Sequence, residues 1–138
     1  MADPRASAAS KARPLSPHIW SYRWPITMVT SITHRITGLI NTAGLCLITL
    51  WLVATSLGRN VFGVAHGLLA SWFGRLILFG FTLSISYHLL NGIRHLCWDA
   101  GWGFGLKTAR NASIAVLIGA ILLTLIIWIA AYWLAGAL

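Results

Sequence analysis

Three stretches of this chain carry no Asp, Glu, Lys or Arg: residues 36–58, 76–93 and 111–138. A helix crosses the hydrocarbon core of a bilayer with about 20 apolar residues. Inside lipid every backbone N–H and C=O must be bonded within the segment or to a closed sheet. Uninterrupted apolar runs of this length therefore predict helices, and three of them predict a bundle. Composition agrees: 9% of the 138 residues are charged, against about 25% in an ordinary soluble domain. The chain reads as an all-α integral membrane protein with three transmembrane helices, at about 25–57, 66–98 and 112–134. A 24-residue arm precedes them, and residues 25–138 form one transmembrane domain. Pro25 suits a first helical turn, Gly58 and Asn60 punctuate the first connection, and GWGFG (101–105) breaks the second.

The formal net charge of +8 raises the question of nucleic acid, but its distribution answers in favour of topology. Arg5, Lys11, Arg13, Arg23 and Arg35 precede or open the first span, and Arg94, Lys107 and Arg110 flank the second connection. Only Arg59 and Arg75 fall on the other side. Lys and Arg concentrate in cytoplasmic loops, so the N-terminus is expected inside (cytoplasm or matrix) and the C-terminus outside. No nucleic-acid partner is needed; the partner implied is membrane lipid. The first residues lack the apolar core of a secretory signal and are expected to be retained. Cys46 and Cys97 make no disulfide framework and are expected as small buried hydrophobes.

Charges and imidazoles inside lipid are costly, by roughly 2.5–3.5 kcal/mol for an Arg or Asp on insertion scales. The segment HLLNGIRHLCWD (88–99) nevertheless holds two histidines, Arg94 and Asp99. At 3.6 residues per turn His88, Asn91, Gly92 and His95 share one stripe. His88 would lie about 9 Å deeper than Arg94, in the inner half of the bilayer. A neutral imidazole there suits haem iron, and Gly92, one turn away, leaves room for a flat macrocycle. A hydrogen-bonded structural histidine is the other reading. His88 and His95 are about 10.5 Å apart along one face, whereas two ligand nitrogens on one iron are about 4 Å apart. One straight helix cannot supply both. Arg35 is expected to hold His34 near the surface, shallower than His88, so a second ligand would come from elsewhere.

SITHRITG (31–38) gives the first span a polar start. Ser31 and Arg35 are neighbours at i and i+4, with His34 turned roughly 100° from Arg35. Arg35 as a snorkelling anchor and Ser31 bonding back to its helix would account for them. A niche gripping the oxygens of a quinone would do so too. The third span has no ionisable group besides Tyr132 and is assigned to packing.

RPLSPHIWSYRWPITMVTSITHRIT (13–37) and HLLNGIRHLCWDAG (88–101) resemble the two signature segments of the succinate dehydrogenase cytochrome b family, the larger membrane anchor of respiratory complex II. Arg13, Pro14, Ser31, His34, Arg35 and Thr37 match in the first; His88, Gly92, Arg94, His95 and Asp99 match in the second. The resemblance implies haem b with His88 as one axial iron ligand and a second small membrane-anchor subunit supplying the other. His34, Arg35 and His95 would lie near the propionates, and Ser31 and Arg35 would line a ubiquinone site. It also implies an iron–sulfur subunit and a flavoprotein subunit docked on the inner face, and a bacterial inner membrane before a mitochondrial one. The chain itself carries no succinate site or flavin motif. A haem-free anchor is the rival reading; a transporter would more typically show repeats and broken helices, which the sequence lacks.

Overall fold

The computed structural model describes residues 23–136. Its helices are α1 (Ile26–Ser56), α2 (Arg59–Ala70), α3 (Trp72–Asp99) and α4 (Leu106–Leu134). There is no strand among the described residues. The helices α1, α3 and α4 are each long and apolar enough to cross a membrane. They pack pairwise as an up-down-up bundle, with α2 set against α1 and α3 at one end. The opposite end gathers the start of α1, the end of α3 and the start of α4. The proposed arm falls almost wholly outside the described residues.

The bundle is built around polar groups. Thr30, Thr37, Ser84, Ser86, Asn91, Arg94, Ser113 and Thr124 are buried, while Leu39, Leu45, Leu50, Ile126 and many other large apolar side chains are exposed. This inverts the rule for soluble proteins and follows from the solvent. Lipid tails are as apolar as leucine, so helices associate through close packing and interhelical hydrogen bonds instead. Tyr87, Val116 and Ala120 form the small apolar core between α3 and α4, with Leu83 and Leu90 against it. Trp128 Nε1 donates to Thr82 Oγ1 at 3.2 Å further along the same seam. The packing role expected of the third span is what α4 performs.

Two expected boundaries change. The second span begins at Trp72, and His66 belongs to α2. At Ser71 the backbone turns extended (φ −62°, ψ 161°), and its Oγ accepts from Gly74 N at 3.1 Å, an N-cap that starts a new helix. Helical patterning continues on both sides of this one residue, which hides the break from a reading of periodicity. Similarly, α4 starts at Leu106 instead of Ala112, because Lys107 and Arg110 sit exposed in its first turns. A boundary drawn at charges cuts such turns away.

The end of α3 follows its sequence closely. Gly101 takes φ 86°, which a side chain would resist. Gly101 N donates to Trp98 O (2.8 Å) and Trp102 N to Cys97 O (2.9 Å), completing a Schellman cap. Cys46 and Cys97 are free and exposed, contrary to the burial expected of them. Their apolar sequence surroundings are the outward faces of the spans, which in this chain are not its interior.

Candidate functional site

The cluster grows from one buried side chain. Thr30 of α1 is fully enclosed, and its carbonyl accepts from Tyr87 OH of α3 at 2.6 Å. Its hydroxyl oxygen accepts from Arg94 Nη1 at 2.9 Å and lies 3.5 Å from Ser113 Oγ of α4. The same Nη1 donates to Asn91 Oδ1 at 2.9 Å. The Arg94 guanidinium also lies over the Trp98 ring, 4.2 Å from its centroid, a favourable cation–π arrangement. Thr30 thus ties three helices together at one level, and Arg94 is buried within the chain instead of reaching for the surface.

This clamp sets the register of α1 against α3 and brings three imidazoles together. The rings of His34 and His88 stack with centroids 3.9 Å apart and planes 14° from parallel. His95 is 5.2 Å from His34 and tilted by 46°. The expected difference in depth between His34 and His88 is therefore absent. That expectation takes Arg35 as the surface marker for His34 and Arg94 as the one for His88, and Arg94 is only 6% exposed. His88 Nδ1 lies 3.1 Å from Thr37 Oγ1, whereas Nε2 has no hydrogen bond among the described residues and is not sealed in. On α1, Gly38 lets the His88 ring pack closely: a Cβ there would approach His88 Cε1 to 3.3 Å, and the ring would have to give by a few tenths of an ångström. The space beside Gly92 on α3 is open.

His95 Nε2 stands 3.5 Å from Asn91 Nδ2, whose amide is oriented by the Arg94 donation to Oδ1. Three side-chain nitrogens in the neighbourhood are buried without a hydrogen-bond partner among the described residues: His34 Nδ1, Arg94 Nε and Arg94 Nη2, the last two donors. Buried polar groups of this kind cost about 1–3 kcal/mol each if left alone, more when charged. Among the described residues no set of three His, Cys, Asp or Glu converges on a point where a bare metal ion would sit.

Of the residues singled out from sequence, His34, His88 and His95 meet. Ser31 is half-buried and Arg35 exposed, one turn apart on α1; neither side chain hydrogen-bonds to another described residue. Thr37 and Asn91 are the additions. Thr37 is a motif position to which the spacing assigned no task, and only the register of α1 on α3 reveals its contact with His88.

Residues 9–133 match the family model of the succinate dehydrogenase/fumarate reductase transmembrane subunit. A succinate dehydrogenase cytochrome b556 subunit from Paracoccus denitrificans is 44% identical over 114 residues, which cover 83% of this chain and 88% of the relative. The b556 subunit from Rickettsia prowazekii is 35% identical over 117 residues, 85% of this chain and 91% of the relative. The mitochondrial cytochrome b560 subunit from Sus scrofa is 38% identical over 110 residues, 77% of this chain and 64% of the relative. The match takes in both polar segments and all three long helices, so the chain belongs to the succinate dehydrogenase/fumarate reductase transmembrane-subunit family.

Proposed function

We propose that this chain is the cytochrome b membrane anchor of a succinate:ubiquinone oxidoreductase. Its His88 holds haem b jointly with a second small anchor subunit, and its Ser31 and Arg35 line the ubiquinone site. An iron–sulfur subunit and a flavoprotein subunit would complete the assembly, with electrons from succinate reaching quinone at this subunit's surface. The observation that carries the reading is the polar cluster between α1 and α3: His88 Nε2 is left without a partner, and three buried side-chain nitrogens lack hydrogen-bond partners among the described residues.

These residues fit a haem. His88 offers a free ring nitrogen beside the open space at Gly92, and His34 Nδ1 and the spare Arg94 N–H groups suit carboxylate oxygens. When bound, the haem supplies one-electron redox chemistry. The second axial ligand belongs to the partner. Two imidazoles on one iron point ring edges at it from opposite sides, with nitrogens about 4 Å apart, whereas the stacked His34 and His88 rings leave no slot between them. Ser31, half-buried, and Arg35, exposed, make no side-chain hydrogen bond to another described residue, as groups that donate to a quinone oxygen would.

The test is a comparison of two acceptors in the purified complex. Arg35→Leu should lower succinate:ubiquinone activity at least tenfold, since a lost charge-assisted hydrogen bond is worth about 1.5–3 kcal/mol and 1.4 kcal/mol is a factor of ten. Ser31→Ala, which removes a neutral hydrogen bond worth about 0.5–1.5 kcal/mol, should lower it by roughly twofold to tenfold. Succinate oxidation with a water-soluble dye that draws electrons from the flavin should persist. Equal loss of both activities would show failed assembly and remove these residues from the quinone site.

Orientation follows from the basic residues. Arg23, Arg35, Lys107 and Arg110 lie at the histidine end of the bundle and Arg59 and Arg75 toward the other. We place the histidine end on the cytoplasmic or matrix side of the inner membrane and the C-terminus outside. Reporters fused at residues 1 and 138 should then give opposite compartments; signals from the same side would contradict three spans.

A further inference from the structure

We propose that Thr37 is a positioning residue for the haem ligand: its hydroxyl oxygen accepts the Nδ1–H of His88 and so leaves Nε2 as the lone pair that binds iron. The inference rests on the reading of His88 as that ligand and adds the group that sets its tautomer.

A threonine hydroxyl has one proton and two lone pairs. Thr37 Oγ1 directs that proton at the carbonyl of His34, 2.9 Å away on its own helix, the usual back-bond of a helical threonine. With the proton committed, the oxygen can face His88 Nδ1 at 3.1 Å only as an acceptor. The imidazole proton then resides on Nδ1, and Nε2 is unprotonated. The opposite arrangement, with Thr37 donating to Nδ1, would put the ring proton on Nε2 and block coordination. It would also strip the His34 carbonyl of its side-chain donor.

Two further features hold the pair in place. Thr37 is 7% exposed, so water does not compete for the bond. The His88 ring packs over Gly38 of α1, where an added Cβ would come within 3.3 Å of its Cε1. Metal-bound histidines commonly pass their second N–H to a fixed acceptor, which raises the basicity of the ligand. A more basic ligand favours ferric over ferrous iron. The hydroxyl therefore lowers the haem potential while orienting the ring, and it does so from α1 although the ligand stands on α3.

Thr37→Val keeps the β-branched shape and removes only the hydroxyl; Thr37→Ser keeps the hydroxyl. In the purified, assembled complex the measurements are a redox titration of the haem and the ratio of haem to protein. The Val variant should keep low-spin haem with a higher potential, by a threefold to tenfold change in the oxidised-to-reduced ratio, tenfold being about 59 mV for one electron. The Ser variant should return to the wild-type value. A Val variant with unchanged potential and haem content would overturn the proposal, as would Val and Ser variants that fail alike. His88→Leu run alongside separates the two levels. If it loses low-spin haem while Thr37→Val changes nothing, the positioning role alone is wrong. If it keeps low-spin haem, the ligand assignment is wrong and Thr37 loses its task with it.

Discussion

Replacing His88 with leucine should abolish the low-spin haem spectrum of the assembled complex, whereas replacing His95 with leucine should preserve it and shift the haem potential. The two histidines share a stripe on α3 but have different surroundings. His88 has Nδ1 engaged by Thr37 and Nε2 unengaged. His95 has Nε2 turned toward Asn91 and its ring against the edge of Trp98. A ligand needs a free nitrogen, and a neighbour of the propionates needs only to present polarity. If His88 holds the haem iron as proposed, its removal would take away this chain's ligand, so loss of low-spin haem should be essentially complete. Removal of His95 alters the field near the cofactor without touching coordination. The fold should tolerate the His88 change. The clamp of Thr30, Tyr87, Asn91 and Arg94 does not pass through His88, and one interhelical hydrogen bond in a membrane protein averages about 0.6 kcal/mol, at most about 1.7. Succinate oxidation measured with a flavin-level dye should accordingly survive in both variants. A low-spin spectrum that persists in His88→Leu and disappears in His95→Leu would transfer the ligand role to His95.

The helical stripe of His88, Asn91 and His95 was legible because period and depth are local properties of α3. The outward direction of Arg35 relative to His34 was legible for the same reason: one residue is about 100° of rotation. Register between helices was not. Charged residues served as depth markers, and that rule holds only for charges that reach the interface. Arg94 violates it, since Thr30, Asn91 and Trp98 supply partners within the bundle. Arg35, exposed beside His34, marks the surface for its own side chain but not for the neighbouring imidazole, so the stacking of His34 on His88 and the Thr37 contact are hidden from the sequence. The break at Ser71 escaped for another reason. A capping serine between two apolar helices changes the backbone at one residue without changing the hydrophobic pattern. Exposure of the cysteines shows the limit of soluble-protein intuition, because an apolar neighbourhood in this chain marks the outside.

This chain should be unable to make its low-spin haem alone. Each candidate for a second ligand among the described residues fails on geometry. His95 stands two turns from His88 on the same face, about 10.5 Å further along the backbone of one straight helix. His34 is stacked flat on His88, with 3.9 Å between ring centres and no space for a macrocycle between them. His66 belongs to α2 at the far end of the bundle, α4 carries no histidine, and His18 lies outside the described residues. On the proposed reading, the missing imidazole would come from a helix of the second anchor subunit. The most direct measurement is the visible spectrum, reduced minus oxidised, of the monodisperse chain expressed by itself, beside the same chain expressed with its companion anchor. Together the two anchors should give one low-spin haem with two histidine ligands. Alone, the chain should hold little haem or a high-spin, five-coordinate species, and a stable low-spin spectrum from the strictly monomeric chain would contradict a site shared between two subunits.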